Sequence, residues 1–138
     1  MTHPISVETH IQAPIEKIWE CWTKPEHIMQ WTFASPEWHV PSAINDIRTG
    51  GSFNTRMEAK DGSFGFDFAG MYTNVVENEL IEYSLEDGRK VKIEFIHEED
   101  GYLVRETFDP ENENTMEMQK SGWQSILDNF KKHVLACL

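Results

Sequence analysis

The sequence predicts an α+β domain in which an antiparallel β-meander presents one apolar face to a long C-terminal helix. Asp-Gly pairs at 61–62, 87–88 and 100–101 separate stretches of alternating apolar and polar residues. Asp-Gly suits tight hairpins because both residues tolerate positive φ, and alternation marks strands with one buried face. Near the C-terminus, Trp123, Ile126, Leu127, Phe130 and Val134 recur at the three-and-four spacing of one helical face. The 138 residues suit one domain, 1–138, with a real core.

The elements follow in order. "ISVETHI" is a strand, with Ile5, Val7, Thr9 and Ile11 sharing a face. Pro14 suits a first helical turn, and Ile15, Ile18, Trp19 and Trp22 follow at helical spacing. "TKPE", residues 23–26, matches a capping box, with Thr23 as cap and Glu26 reaching back, and opens a second short helix through Ile28 to Trp31. The segment from Thr32 to Asp46 contains Pro36 and Pro41 and is expected to be irregular, with a short strand near Val40 or Ile44. Five strands then follow one another, giving six with the first. They alternate through Phe53, Thr55 and Met57; Phe64, Phe66 and Phe68; Ile81, Tyr83 and Leu85; Val91, Ile93 and Phe95; and "YLVRETF" before Asp109-Pro110. Asn78 is a turn residue between two of them. The final helix starts at Asn114 as cap, with Glu117 three residues on, and runs to about Ala136, roughly 33 Å.

One residue in that helix is out of place. Gly122 precedes Trp123, and an internal helical glycine costs about 1 kcal/mol against alanine. The pair predicts a close approach of helix to sheet at Gly122, with Trp123 as a flat wall.

Composition narrows the function. A formal net charge of −12 opposes nucleic-acid binding, which needs a concentrated basic surface, and disfavours anionic membranes. The opening "MTHPISVETHI" has no signal-peptide pattern, and no apolar run approaches the roughly 20 residues of a membrane span. A reduced, cytoplasmic setting is expected. Cys21 and Cys137 show no metal-ligand spacing, and the six histidines do not recur at spacing suited to a metal, so no metal and no cofactor are expected. Cys21, between Trp19 and Trp22, reads as a small buried hydrophobe, and Cys137 lies where chains fray. No Gly-x-Ser-x-Gly, phosphate-binding glycine loop or His-Glu-x-x-His occurs.

Several stretches resemble a known family. "ETHIQAPIEKIWECWTKPEHIMQW" is similar to the opening of the SRPBCC (START-related) superfamily. "NDIRTGGSF", residues 45–53, resembles the strand entry of the branch named for the activator of heat-shock protein 90 ATPase. "GMYTNVVENELIEYSL" and "GWQSILDNFKKHV" resemble the same branch. The resemblance spans Ile5 to Val134. It implies the helix-grip fold, a curved antiparallel sheet wrapped around the C-terminal helix, with two short helices after the first strand and a cavity between sheet and helix. Relatives hold lipids, sterols, polyketides or other apolar molecules there, and a minority perform chemistry. The chaperone-activating activity belongs to a larger two-domain eukaryotic protein, whereas this chain resembles one such fold alone.

The aromatic residues exceed what a small core needs, and aromatic walls with a few polar tips are how small-molecule pockets are lined. The expected function is non-catalytic binding of an apolar or aromatic small molecule, lined by Trp31, Phe33, Phe66, Phe68, Tyr83, Phe95, Met118 and Trp123. An alternative is a cyclase- or hydrolase-type enzyme using His97 and Glu106, whose strand parity points both inward as an acid/base pair. A third is a chaperone-related protein-interaction module. No catalytic residue beyond that pair is expected, and the sequence does not set the oligomeric state.

Overall fold

In the computed structural model, which describes residues 3–138, β1 (Ile5–Ile11) leads into two short helices, α1 (Ile15–Thr23) and α2 (Pro25–Trp31). Six strands follow: β2 (Trp38–Asn45), β3 (Ser52–Ala59), β4 (Gly65–Val76), β5 (Leu80–Leu85), β6 (Lys90–Glu98) and β7 (Gly101–Phe108). The chain ends in α3 (Met116–Ala136). The strands form one curled antiparallel sheet of order β1-β7-β6-β5-β4-β3-β2.

The sheet has seven strands, one more than alternation alone indicates. The segment expected to be irregular contains the full-length β2, and Pro41 hides it. β2 is an edge strand, and its pairing with β3 shifts register between His39 and Ser42, so the proline sits in a bulge where no ladder hydrogen bond is lost. A second irregularity, between Tyr72 and Asn74, lets β4 bend. The hairpin glycines behave as expected where Gly62 and Gly88 take φ of +77° and +91°. Asn78 likewise adopts a φ of 67° in its turn.

Alternation sets the buried face. Val7, Ile11, Ile81, Ile93, Val104 and Phe108 are almost wholly enclosed. Trp19 and Trp22 of α1 meet Phe95 edge-on, with centroids 5.4 and 5.9 Å away, and Phe130 of α3 packs between Trp22 and Trp31. No described helix is long and apolar enough to cross a membrane.

Both helix starts differ from expectation. Pro25 demands an extended residue before it, so Lys24 (φ −82°, ψ 129°) is the cap of α2, without a side-chain cap bond. Thr23 instead closes α1, its hydroxyl donating to the Trp19 carbonyl at 2.7 Å. α3 is capped by Thr115, whose Oγ1 accepts from the Met118 amide at 3.1 Å. Asn114 lies one residue before the cap, its side-chain amide donating to Glu111 Oε1 at 2.9 Å.

The expectation for Gly122 is also overturned. A Cβ built there would meet nothing within 4 Å. α3 makes its backbone approach to β1 at one edge of the sheet and to α1 and α2. Towards β3, β4 and β5 it stands off, and side chains bridge the gap.

Candidate functional site

That gap is a cavity of about 300 Å³. Bulky aromatic residues prop it open from both sides. On α3, Trp123 lies flat on Phe108, ring centroids 3.9 Å apart and 9° from parallel, and turns an edge towards Phe68. On the sheet, Phe53 meets Tyr72 at 5.3 Å and Tyr83 at 4.8 Å. Trp22, Ile28 and Trp31 of the α1–α2 elbow close one end, and Met57 and the partly exposed Phe66 lie at the other. Trp31 is held by its indole N–H, which donates to the Cys21 carbonyl at 2.9 Å.

A few polar groups enter this apolar wall. Tyr72 donates its hydroxyl to Asn45 Oδ1, and Asn45 Nδ2 in turn donates to the Thr23 carbonyl at 2.7 Å. Arg89, paired with Asp87 at 2.7 Å, also reaches the wall. The decisive group is Glu106 on β7, only 5% exposed and the one acidic side chain buried among the described residues. Burial away from water pushes its carboxyl up to about 8, from an ordinary 4.5. No enclosed side-chain polar atom among the described residues lacks a hydrogen-bond partner. Because Glu106 takes part in no such bond within the chain, its oxygens face the cavity space. Burial, and secondarily the nearby Glu106, also drive the Tyr83 phenol well above its usual value. The cavity therefore holds a carboxylic acid that is mostly protonated at neutral pH, able to donate a hydrogen bond into an apolar box.

The structure brings five of the eight expected lining residues together: Trp31, Phe66, Phe68, Tyr83 and Trp123. Three lie elsewhere. Phe95 is buried but covered by Trp19 and Trp22. Met118 is 62% exposed; it lies nine residues before Leu127, about 180° around the helix. Phe33 follows the end of α2, and Thr32 rather than Phe33 contributes to the wall. The His97–Glu106 pair does not form. His97 is exposed at the end of β6, against Tyr102 at 5.2 Å, four residues along the strand from Ile93, the register partner of Glu106. Sequence reasoning missed Asn45, Thr55 and Arg89. Thr55 shares parity with Phe53, a visible signal, whereas Asn45 and Arg89 reach the wall from strand ends.

Outside the cavity, the fold gathers Cys21, His27, His133 and Cys137, residues whose spacing had indicated no ligand set. Cys137 is not frayed, since its amide donates to the carbonyls of His133 and Val134. The Cys21 thiol is wholly enclosed and pushed up to about 12, chiefly by burial, which rules it out as a nucleophile.

A curled antiparallel sheet with a C-terminal helix across it and a side-chain-lined space between them defines a helix-grip protein. Comparison with known proteins specifies the family. The model of the Activator of Hsp90 ATPase homolog 1-like protein family matches residues 12–134, and the chain belongs to that family. The AHSA1-like protein from Aeromonas hydrophila, solved in solution, is 44% identical over 98% of this chain and 94% of its own, with a TM-score of 0.91. A Cytophaga hutchinsonii protein is 54% identical over 96% of this chain and 92% of its own, with a TM-score of 0.84. A crystal structure from Nitrosomonas europaea shares the fold at a TM-score of 0.82 and 16% identity, over 96% of this chain and 94% of its own. No curated protein matches the chain.

Proposed function

We propose that the protein binds a small apolar or aromatic molecule in this cavity and orients one polar group of that molecule on Glu106. The observation that carries the reading is the aromatic-walled space of about 300 Å³ with an unpaired carboxyl on its wall. This volume is at the lower end of small-molecule sites, which favours a ligand of one or two rings or a short chain. Burying about 200 Å² of apolar ligand surface contributes about 5 kcal/mol before association costs. A hydrogen bond to the protonated carboxyl adds about 1 kcal/mol and fixes orientation. Tyr72, Tyr83 and Trp123 are rigid walls, so little side-chain entropy is lost on binding. The cytoplasm, where thiols stay reduced, is the compartment that suits the free Cys21 and Cys137.

Native mass spectrometry of the purified protein with a metabolite extract tests this. A retained small molecule whose retention falls in Glu106→Gln and Trp123→Phe variants is the expected result. Retention of no small molecule under any condition would overturn the reading. A second reading, proton transfer by Glu106 on a bound ligand, is favoured by the position of its carboxyl near neutral pH. Turnover of a retained compound, abolished in Glu106→Gln, would distinguish it from binding alone.

A further inference from the structure

We propose that Cys21, His27, His133 and Cys137 form a tetrahedral site for one zinc ion at the joint of α1, α2 and the end of α3. One ligand atom from each residue lies within 4.8 Å of all the others. His27 Nδ1 is 2.8 Å from His133 Nε2, and Cys137 Sγ is 3.6 Å from the same Nε2. A tetrahedral zinc with bonds of about 2.0–2.3 Å separates its ligand atoms by roughly 3.3–3.8 Å. Shifts of about 1 Å or less therefore complete the geometry, within reach of side-chain rotation.

The surroundings are also those of a metal site. Glu20 Oε1 lies 3.2 Å from His27 Nε2, so it accepts that N–H and leaves the Nδ1 lone pair facing the cluster. Metal-ligating histidines are typically oriented by such a carboxylate. Cys137, the C-cap of α3, follows His133 by one turn, which brings its side chain to the face that carries His133. The charges balance as well: each thiol releases its proton to solvent, both imidazoles coordinate neutral, and two thiolates cancel one Zn²⁺. A neutral complex is tolerated where Cys21 is wholly buried and the His27 side chain is only 16% exposed.

A Cys21–Cys137 disulfide is the competing arrangement. It would use two of the four residues and leave His27 and His133 joined to each other by the hydrogen bond between their facing ring nitrogens at 2.8 Å; zinc would replace that bond and engage all four residues. Soft sulfur with imidazole in tetrahedral array selects zinc among common divalent ions. With four protein ligands no coordination position stays open, so the site is structural.

The test uses untagged full-length protein, reduced, stripped with chelator and titrated with Zn²⁺ or Co²⁺ alone. Expected are one equivalent bound, a raised thermal midpoint, and tetrahedral cobalt absorption with a thiolate charge-transfer band. Cys137→Ser and His27→Gln should each weaken binding at least tenfold, and Glu20→Gln about tenfold. Cys137 lies in the last turn, so Cys137→Ser should remain folded, which circular dichroism would check. Uptake far below one equivalent by folded reduced protein would overturn the proposal. So would a cobalt spectrum without thiolate bands, unchanged affinity in both ligand variants, or an intact-mass loss of two hydrogens with no zinc uptake after reduction.

Discussion

Replacing Glu106 with Gln should flatten the pH dependence of stability. Glu106 is buried on the cavity wall, and its carboxyl lies at about 8 in the folded chain against 4.5 as the ordinary value. The folded state thus holds a proton that the unfolded state releases, and stability falls as pH rises between those two values. The contribution is fully present below about 4.5 and is lost as pH climbs through about 8. Each pH unit inside the window changes stability by about 1.4 kcal/mol, so the loss from pH 5 to pH 7.5 is about 3 kcal/mol after allowing for partial titration at both ends. Gln keeps the shape and cannot titrate. Urea unfolding of both proteins at pH 5.0, 6.0, 7.0 and 7.5 measures the effect, and subtracting the two curves removes the groups they share. The wild type should lose about 2–4 kcal/mol relative to the variant across that range. Parallel curves would show that the carboxyl is hydrated or ion-paired, and its role as a neutral donor would fall with it.

Two further perturbations probe α3. Gly122→Ala should stabilise the protein by about 1 kcal/mol, because the new methyl meets nothing and propensity alone decides; a lowered thermal midpoint would mean the helix lies closer to the sheet than it does here. Trp123→Phe removes part of the stack on Phe108 and one cavity wall. With octanol as a probe transparent where indole absorbs, the variant should lose most of the ligand-dependent emission change and bind several-fold more weakly, up to about tenfold or 1.4 kcal/mol. An unchanged emission response would place the probe elsewhere, against Trp31.

The readable parts of the sequence were those where a local rule and the tertiary context agree. Alternation put Ile81, Tyr83, Val91, Ile93, Val104 and Glu106 inward, and each is buried because the inner face is covered there, by packed side chains or by the cavity walls. His97 obeys the same parity but is exposed, since parity says which face a residue is on, not whether that face is covered there. β2 was hidden by Pro41, whose cost vanishes at an edge bulge that only the assembled sheet defines. Phe95 needed knowledge of where α1 lands. The four clustered cysteines and histidines come from opposite ends of the chain, and only the one-turn spacing of His133 and Cys137 was locally visible.

The costs this core carries favour a site over simple packing. Side chains filling this space would bury more apolar surface, at about 25 cal/mol per Å², so leaving about 300 Å³ unfilled between helix and sheet forgoes stabilisation that simple packing would take. Water entering the space finds few polar partners beyond Glu106, Thr55, Arg89 and the Tyr83 hydroxyl, since the Tyr72 hydroxyl is taken by Asn45. A leucine at position 106 would close part of the gap and would remove the desolvation of a carboxyl. A core selected for stability alone has that simple route to filling part of the volume, and the chain does not take it. A ligand that occupies the space and accepts the Glu106 proton in a hydrogen bond would offset both costs at once. The protein should then be most stable with its cavity filled.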